Sequence, residues 1–229
     1  MPKTIALIMA AGTGERFEGS VPKKFYTLLG RPMIVWATEC FAAHAAIDSI
    51  TIVAAPGEEE RVGEIVETHR LHKVDRIVPG GQTRQESVWL GLETFDSFAE
   101  TVLVHDAARP CLTHALVDRV LDALKRDEAV VPAWPVVDTL VREEGEAVDA
   151  VLDRVHISGV QTPQGFRTSL LVRAHRKARA RGFSSSDDGS LVFALGENVR
   201  TIPGERTNIK VTFVEDAVIA EAILEKLKR

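Results

Sequence analysis

A glycine-rich loop with cations close behind it is the first segment whose residue types could do chemistry. Residues 10–14 read Ala-Ala-Gly-Thr-Gly, so their small side chains let backbone N–H groups approach a ligand closely. Arg16, Lys23 and Lys24 follow within ten residues of the loop. Backbone donors beside cations favour a phosphorylated ligand. The same residues also fit a tight turn with a solvated face, because a lone G-x-G is weak evidence.

This loop matches neither of two common nucleotide motifs. No G-K-[ST] sequence closes it as in a P-loop, and Phe17 stands where a dinucleotide fingerprint has its third glycine. A nicotinamide-dependent oxidoreductase is therefore a weak alternative, suggested by the glycines alone. Another alternative is a non-catalytic nucleotide sensor, but the complete set of cations argues against it.

Polar residues also follow later apolar runs of the chain. Asp106 comes at a predicted strand end, where it could orient magnesium or a substrate hydroxyl, and Arg109 could bind a second phosphate. The alternative is a structural role, in which Asp106 and Arg109 form a pair that stabilises a loop. The seven histidines show no metal-ligand spacing, and no G-x-S-x-G elbow or Cys/His pairing is present.

Cations, carboxylates and backbone donors suit phosphorus transfer. That chemistry depends mainly on in-line positioning and on neutralising charge on oxygens. A phosphate monoester has a second pKa of about 6, so it is already a nucleophile at neutral pH. Such a reaction needs no histidine base.

The elements that must position these residues alternate between strand and helix. This pattern predicts a single-domain Rossmann-like α/β fold over 1–229, with a mostly parallel sheet and helices on both faces. Ligands of such sheets bind beyond the carboxyl ends of the strands. Strands are predicted over 5–9, 49–55, 76–79, 101–105, 129–137 and 199–202, with 25–29 as an edge strand, and helices over 33–44, 58–70, after 80–87, 113–126, 168–181, 189–195 and 215–227.

One segment breaks this alternation. Residues 138–163 predict two extended stretches around a charged turn at 143–146, with no helix between them. A hairpin of that length is marginal alone. We predict that residues 138–160 form a β-arm insertion that packs against a second subunit, giving a homodimer. A flap over the site is the alternative.

Composition limits the partners and the compartment. The chain has 229 residues, 45% hydrophobic and 27% charged, with a net charge of −5. This balance disfavours nucleic-acid and membrane binding, and no apolar run reaches membrane-spanning length. Cys40 and Cys111 are too few for a disulfide framework. We expect a cytoplasmic protein.

The motifs together resemble those of one enzyme family. The ordered set A-A-G-x-G-x-R, P-K, G-G-x-x-R-x-x-S, V-H-D-A-A-R-P, D-T, D-R, Q-T-P-Q-x-F and N-I-K-V-T is similar to that of 2-C-methyl-D-erythritol 4-phosphate cytidylyltransferases of the non-mevalonate isoprenoid pathway. The blocks at 104–110, 161–166 and 208–212 are the most specific. The resemblance spans nearly the whole chain.

The resemblance implies a nucleotidyltransferase that joins CTP to methylerythritol phosphate, releasing pyrophosphate, with Mg²⁺ held by Asp106 or by the CTP phosphates. It implies that Arg16, Lys23 and Lys210 are catalytic, Lys210 near the reacting α-phosphate. Without a binding role, Lys210 would be a solvated lysine. The 80–82 segment would then be a turn that leads into a helix. The implied nucleotide-binding residues are Ala10, Ala11, Gly12, Gly14, Gly80, Gly81, Gln82 and Ser87, and the implied substrate-binding residues are Asp106, Arg109, Thr139, Arg154 and Thr162.

The chain departs from the family pattern at a few positions beside these residues. Lys24 stands where Gln is usual, and Phe17 where Met is common. A pentitol-phosphate (ribitol 5-phosphate) cytidylyltransferase resembles this family in several of the same blocks. No residue of the sequence distinguishes the two polyol acceptors.

Overall fold

Strands and helices alternate along most of the chain. The computed structural model describes residues 3–12, 14, 17, 21–95 and 99–227. Within them the elements are β1 (Lys3–Ala10), β2 (Thr27–Leu28), β3 (Arg31–Pro32), α1 (Met33–Ala43), β4 (Ser49–Ala54), α2 (Glu59–Thr68), β5 (Val74–Pro79), α3 (Arg84–Leu92), β6 (Ala99–Asp106), α4 (His114–Leu124), β7 (Ala129–Pro135), β8 (Leu140–Glu144), β9 (Ala147–Leu152), β10 (Ser158–Val160), β11 (Gln164–Arg167), α5 (Thr168–Arg181), α6 (Asp188–Ala194), β12 (Arg200–Pro203) and α7 (Val214–Leu227).

One half of the central sheet is parallel. Its strands run in the order β6-β1-β4-β5, and β1 pairs in parallel with both β4 and β6. Ala6 and Ile8 of β1 belong to a core cluster that includes residues of α1 and α4, whereas Leu7 packs with residues of α3 and α5. Both faces of β1 are therefore covered, which explains its unbroken apolar sequence.

The other half of the sheet is mixed. Strand β11 runs antiparallel between β6 and β7, and β12 pairs with β7 in parallel. The prediction of a mostly parallel α/β sheet is confirmed. Strand β11 was not predicted, because Gln164–Arg167 is short and has one apolar residue, Phe166.

The arm differs in part from its prediction. Strands β8 and β9 pair as a hairpin around Gly145, as the sequence indicates. The second predicted extended stretch, however, ends at Leu152, and residues 154–156 form a 3-10 turn. Strand β10 then pairs with β7 of the central sheet. The protruding part is therefore shorter than residues 138–163.

Residues 25–29 do not form one edge strand. Lys23–Phe25 is a 3-10 turn, and the short strands β2 and β3 pair around Leu29 and Gly30. Both of these turn residues have a positive φ, 48° at Leu29 and 79° at Gly30. Positive φ places them in the left-handed region that suits a tight turn.

Threonine side chains cap the starts of two helices. The Thr113 side chain accepts a hydrogen bond from Leu116 N at 3.1 Å, and Thr83 does the same for Glu86 N at 3.1 Å. The basic helix α5 has the predicted bounds and ends at Gly182 in the left-handed conformation. None of the helices among the described residues is long and apolar enough to cross a membrane.

Candidate active site

Loops from the carboxyl ends of four parallel strands enclose a first cavity of about 690 Å³. They follow β1, β4, β5 and β6, which is the edge that the fold class predicts. Arg16 lies outside the described residues. The other predicted residues that line the first cavity are Ala10, Ala11, Gly12, Gly14, Lys23, Gly80, Gly81, Gln82, Ser87, Asp106 and Lys210.

The loops after β1 and β5 lie in close contact. A Cβ atom on Gly80 would come within 2.4 Å of Ala11 Cβ and within 2.8 Å of Ser87 Oγ. The Ser87 hydroxyl donates to Thr83 O at 2.8 Å and accepts from Gly81 N at 3.0 Å. The absence of a Cβ at Gly80 therefore lets the two loops pack closely, and Ser87 fixes the loop that starts α3.

Lys24 is buried at the side of this cavity. Its Nζ lies 2.5 Å from Glu58 Oε2 and 3.5 Å from Gly12 O. The Phe25 ring lies 3.9 Å from the Arg61 guanidinium carbon. Lys24 thus links the glycine loop to the start of α2, where the family pattern has an uncharged Gln.

Asp106, at the end of β6, is held by two cations. Its Oδ1 accepts from Arg84 Nε at 3.2 Å, and its Oδ2 accepts from Lys210 Nζ at 2.7 Å. Burial opposes ionisation of this carboxyl, but the charges of Arg84 and Lys210 outweigh burial and lower its pKa. Asp106 is therefore a carboxylate at neutral pH.

Arg84 is a residue that the sequence reasoning missed, although the G-G-x-x-R motif contains it. Its Nη1 donates to Asp188 Oδ2 at 2.6 Å, so Arg84 bridges two carboxylates that are 82 positions apart in the numbering. Asp188 is buried and also contacts His175 Nε2 at 3.1 Å. Asp187, one residue earlier, caps helix α6, whereas Asp188 belongs to this buried network.

A second cavity, of about 320 Å³, meets the first at Arg84 and Asp106. Three predicted substrate-binding residues, Asp106, Arg109 and Thr162, line it. The sequence did not assign its polar residues Ser186, Asp187 and Ser190 to a binding site. Its full lining is Arg84, Asp106, Arg109, Val160, Gln161, Thr162, Gln164, Ser186, Asp187 and Ser190.

Hydrogen bonds fix the loop at the end of β6. Arg109 Nη1 donates to Asn208 O at 2.8 Å, while its Nε is buried without a hydrogen-bond partner. His105 contacts Arg109 O through Nε2 at 3.1 Å and Thr162 Oγ1 through Nδ1 at 3.0 Å. Burial lowers the pKa of His105 to about 4, so its ring is neutral at physiological pH.

Two predicted substrate-binding residues lie outside both cavities. Thr139 precedes β8 and is exposed, and Arg154 lies in the 3-10 turn after β9. Arg154 donates a hydrogen bond to Val137 O. Within one chain, the structure does not bring either side chain to the cavities.

The described residues contain no group of three or more His, Cys, Asp or Glu side chains that could hold a metal ion. Asp106 lies at the junction of the cavities, but both of its oxygens accept hydrogen bonds from cations. This donor set does not form a protein cage for Mg²⁺. It is compatible with a cation carried mainly by phosphates and water.

Comparisons with known proteins show the family of the chain. The family model "2-C-methyl-D-erythritol 4-phosphate cytidylyltransferase" matches residues 4–226. The enzyme of that name from Geobacillus thermodenitrificans is 39% identical over 219 residues, covering 96% of each chain. A bifunctional IspD/IspF enzyme from Desulforudis audaxviator is 43% identical over 228 residues, which cover 98% of this chain and 57% of that enzyme.

A solved structure supports the same relationship. The crystal structure of 2-C-methyl-D-erythritol 4-phosphate cytidylyltransferase from Thermus thermophilus matches with a TM-score of 0.81 and 41% identity, covering 96% of this chain and 98% of that one. The fold class and the resemblance predicted from the sequence are thereby confirmed. The chain belongs to the 2-C-methyl-D-erythritol 4-phosphate cytidylyltransferase family and is a nucleotidyltransferase.

Proposed function

We propose that the first cavity binds CTP and that the second binds methylerythritol phosphate, so that the acceptor phosphate attacks the α-phosphate of CTP in line. The junction of the cavities supports this arrangement: Arg84 and Asp106 line both, and Lys210 lies 2.7 Å from Asp106. Two phosphorylated reactants placed end to end would meet there. A new P–O bond forms to the acceptor, the bond to the β-phosphate oxygen breaks, and pyrophosphate leaves.

The first cavity suits a nucleotide because backbone groups form much of its lining. We assign the loop of Ala10, Ala11, Gly12 and Gly14 to the nucleotide, since small side chains leave its N–H groups accessible. The turn of Gly80, Gly81 and Gln82, supported by Ser87, would read the cytosine edge.

Cations carry the chemical step in this proposal. Arg16 and Lys23 would bind the triphosphate, and Lys210 would stabilise charge that develops on the α-phosphate oxygens. Asp106 holds Lys210 at 2.7 Å before the substrates bind. The acceptor phosphate is largely dianionic at neutral pH, so no side chain needs to remove a proton from it.

We propose that Mg²⁺ enters with CTP. The ion would neutralise phosphate oxygens, with Asp106 as the nearest carboxylate of this chain. The described residues hold Asp106 through two cations, so the phosphates would supply most of the coordination.

We propose that the site is completed by a second copy of the chain, with residues 138–160 as the dimer arm. The hairpin exposes apolar side chains, with Val148 61% and Val151 69% exposed, and Val155 after it is 77% exposed. Such side chains favour a partner surface. Thr139 and Arg154 would then reach the acceptor site of the neighbouring subunit. We place this enzyme in the cytoplasm.

The test of function measures pyrophosphate release from each of the four nucleoside triphosphates. Methylerythritol phosphate and ribitol 5-phosphate are offered in turn as acceptors. We expect release with CTP and methylerythritol phosphate at least 100-fold faster than with any other pair. Preference for ribitol 5-phosphate would identify the pentitol enzyme instead, and release without an acceptor would contradict transfer.

Deleting the tip at 143–146 tests the arm. Sedimentation velocity should show a shift from dimer toward monomer, with a loss of acceptor turnover at low protein concentration. An unchanged sedimentation coefficient would contradict the dimer arm. If the dimer persists while the KM for the acceptor rises, the arm is a flap over its own site.

A further inference from the structure

A closed ring of hydrogen bonds includes Arg109 and Thr162, which line the second cavity, and joins three separate segments. His105 Nε2 contacts Arg109 O at 3.1 Å, and Arg109 Nη1 donates to Asn208 O at 2.8 Å. Asn208 Nδ2 donates to Thr162 O at 2.7 Å, and Thr162 Oγ1 contacts His105 Nδ1 at 3.0 Å. The ring therefore fastens the β6 loop to the segments that contain Thr162 and Lys210.

We propose that His105 and Thr162 are positioning residues. Thr162, which the family resemblance assigns to substrate binding, would then act through this ring and not by donating a hydrogen bond to the acceptor phosphate. The proposal rests on the proposed function, because it assigns how the acceptor half of that site is held. Its consequence is that Asp106, Arg109 and Lys210 are placed as one unit.

The direction of each hydrogen bond follows from the chemistry of its partners. A carbonyl oxygen can only accept, so the ring nitrogen that faces Arg109 O, Nε2, must carry the proton. His105 is fully buried, and neither of its ring nitrogens is hydrogen-bonded to a carboxylate. A buried imidazole in such surroundings is neutral, with one proton. Its Nδ1 is therefore an acceptor.

This tautomer commits the Thr162 hydroxyl. A hydroxyl has one hydrogen to donate, and His105 Nδ1 takes it. The Thr162 oxygen also accepts from Asp106 N at 3.1 Å. What remains is a lone pair, which does not favour an anionic phosphate oxygen. Thr162 lines the second cavity, but it has no hydrogen left for the acceptor.

The burial of the ring explains why its loss would matter. Asn208 and His105 are fully buried, and Thr162 is 5% exposed. Removing one member leaves a buried polar partner unsatisfied, which costs more than the hydrogen bond itself contributes. Loss of the Thr162 hydroxyl would also remove the acceptor of the Asp106 backbone N–H, which would loosen the placement of the Asp106 carboxylate and of Lys210.

A double-mutant cycle tests this assignment. Thr162→Val and His105→Phe should each lower kcat/KM for the acceptor by about 10-fold to 100-fold, with the KM for CTP changed by less than about 3-fold. In the double variant, kcat/KM for the acceptor should be no more than about 3-fold lower than in the less active of the two single variants, because the two side chains act as one unit. Thr162→Ser, which keeps the hydroxyl, should recover most of the loss.

His44→Gln is the matched control. His44 is also buried and uses both ring nitrogens, on Asp118 Oδ1 and Ala46 N, but it lines neither cavity. Its variant reports the general effect of losing a buried histidine. Thermal melting of every variant separates lost folding from lost positioning.

Other outcomes would overturn the proposal. If His105→Phe keeps kcat/KM within about 3-fold while Thr162→Val does not, Thr162 contacts the substrate directly. Losses that multiply in the double variant would also contradict a single unit. Nitrogen NMR of wild-type protein with labelled histidines measures the tautomer directly, without an activity assay and without a variant that has to fold. We expect a proton on Nε2 of His105 and none on Nδ1. The reverse tautomer would contradict the proposed directions of the hydrogen bonds. This outcome does not depend on which substrates the enzyme uses.

Discussion

The two cavities are built differently, although they share Arg84 and Asp106. The first lies where parallel strands end, and glycine-rich loops close in sequence to those strands form much of it. The second is lined largely by polar side chains, and its contacts join residues far apart, such as His105 with Thr162 and Arg109 with Asn208. Local sequence therefore prepares the first cavity, whereas tertiary packing assembles the second.

This difference predicts how each cavity responds to mutation. Changes in the first should act on CTP binding, changes in the second on the acceptor, and changes at the junction on turnover with both. Three substitutions test that division, and one pH titration tests the hydrogen-bonded ring of His105; they follow from the largest expected effect to the smallest.

Lys210→Ala should have the largest effect. Removing the cation at the junction should lower kcat by about 10²-fold to 10³-fold, because its charge is needed most where charge develops in the transition state. Lys210→Arg should recover part of that loss. Steady-state kinetics on both substrates measure it, with the exposed Lys125→Ala as control. A rise in the KM for CTP by a similar factor, with unchanged kcat, would show that Lys210 only binds the nucleotide.

The pH dependence of stability tests the neutral, buried state of His105 in the hydrogen-bonded ring. Burial lowers the pKa of His105 from 6.5 to about 4 in the folded chain, so the unfolded chain binds more protons between these values. The free energy of unfolding should therefore fall as the pH drops from about 6.5 to 4, by about 3 kcal/mol from this group. Denaturant titrations of wild type and His105→Phe measure it. Equal pH slopes in that window would contradict the shift.

Arg154→Ala should affect the acceptor only. If the partner subunit supplies this cation to the second cavity, the KM for methylerythritol phosphate should rise about 10-fold to 30-fold and the KM for CTP should not change. Arg142→Ala is the matched control, because Arg142 lies on the same arm and pairs with Asp149. A rise in the KM for CTP would remove Arg154 from the acceptor site.

Gly80→Ala should have the smallest effect, confined to the first cavity. The added Cβ would press on Ala11 and Ser87, so the KM for CTP should rise about 5-fold to 10-fold as the two loops separate. Gly63→Ala in α2 is its control, since a Cβ there would make only an ordinary contact, 3.8 Å from Ile77 Cδ1 of β5. A change in the acceptor KM alone would contradict the division between cavities.

Local patterns predicted most of the parallel half of the fold. Apolar runs closed by Gly, Pro or Asp indicated β1, β4 and β6, and those strands deliver the loops of the first cavity. Glycine spacing also pointed to the residues at 10–14, because the requirement for small side chains is local, whereas the role of 80–82 came from the family resemblance.

Tertiary contacts determined what the sequence did not predict. Strand β11 lies between β6 and β7, and its sequence has no alternation of apolar and polar residues that would predict a strand. Its extended conformation therefore depends on pairing with these two neighbours. Arg84 is part of a visible motif, but its role depends on Asp188, 104 residues away. No spacing rule places these two together. The same holds for Arg154, whose proposed site requires a second chain.

Strand β11 also bears on the order of folding. It is made after β6 and β7, yet it separates them in the finished sheet. A nascent chain that ends before Gln164 can pair β1, β4, β5 and β6, but the outer edge of β6 stays open until β11 emerges. The acceptor half should therefore be the last part to consolidate during synthesis, and the exposed β6 edge the place where incomplete chains associate.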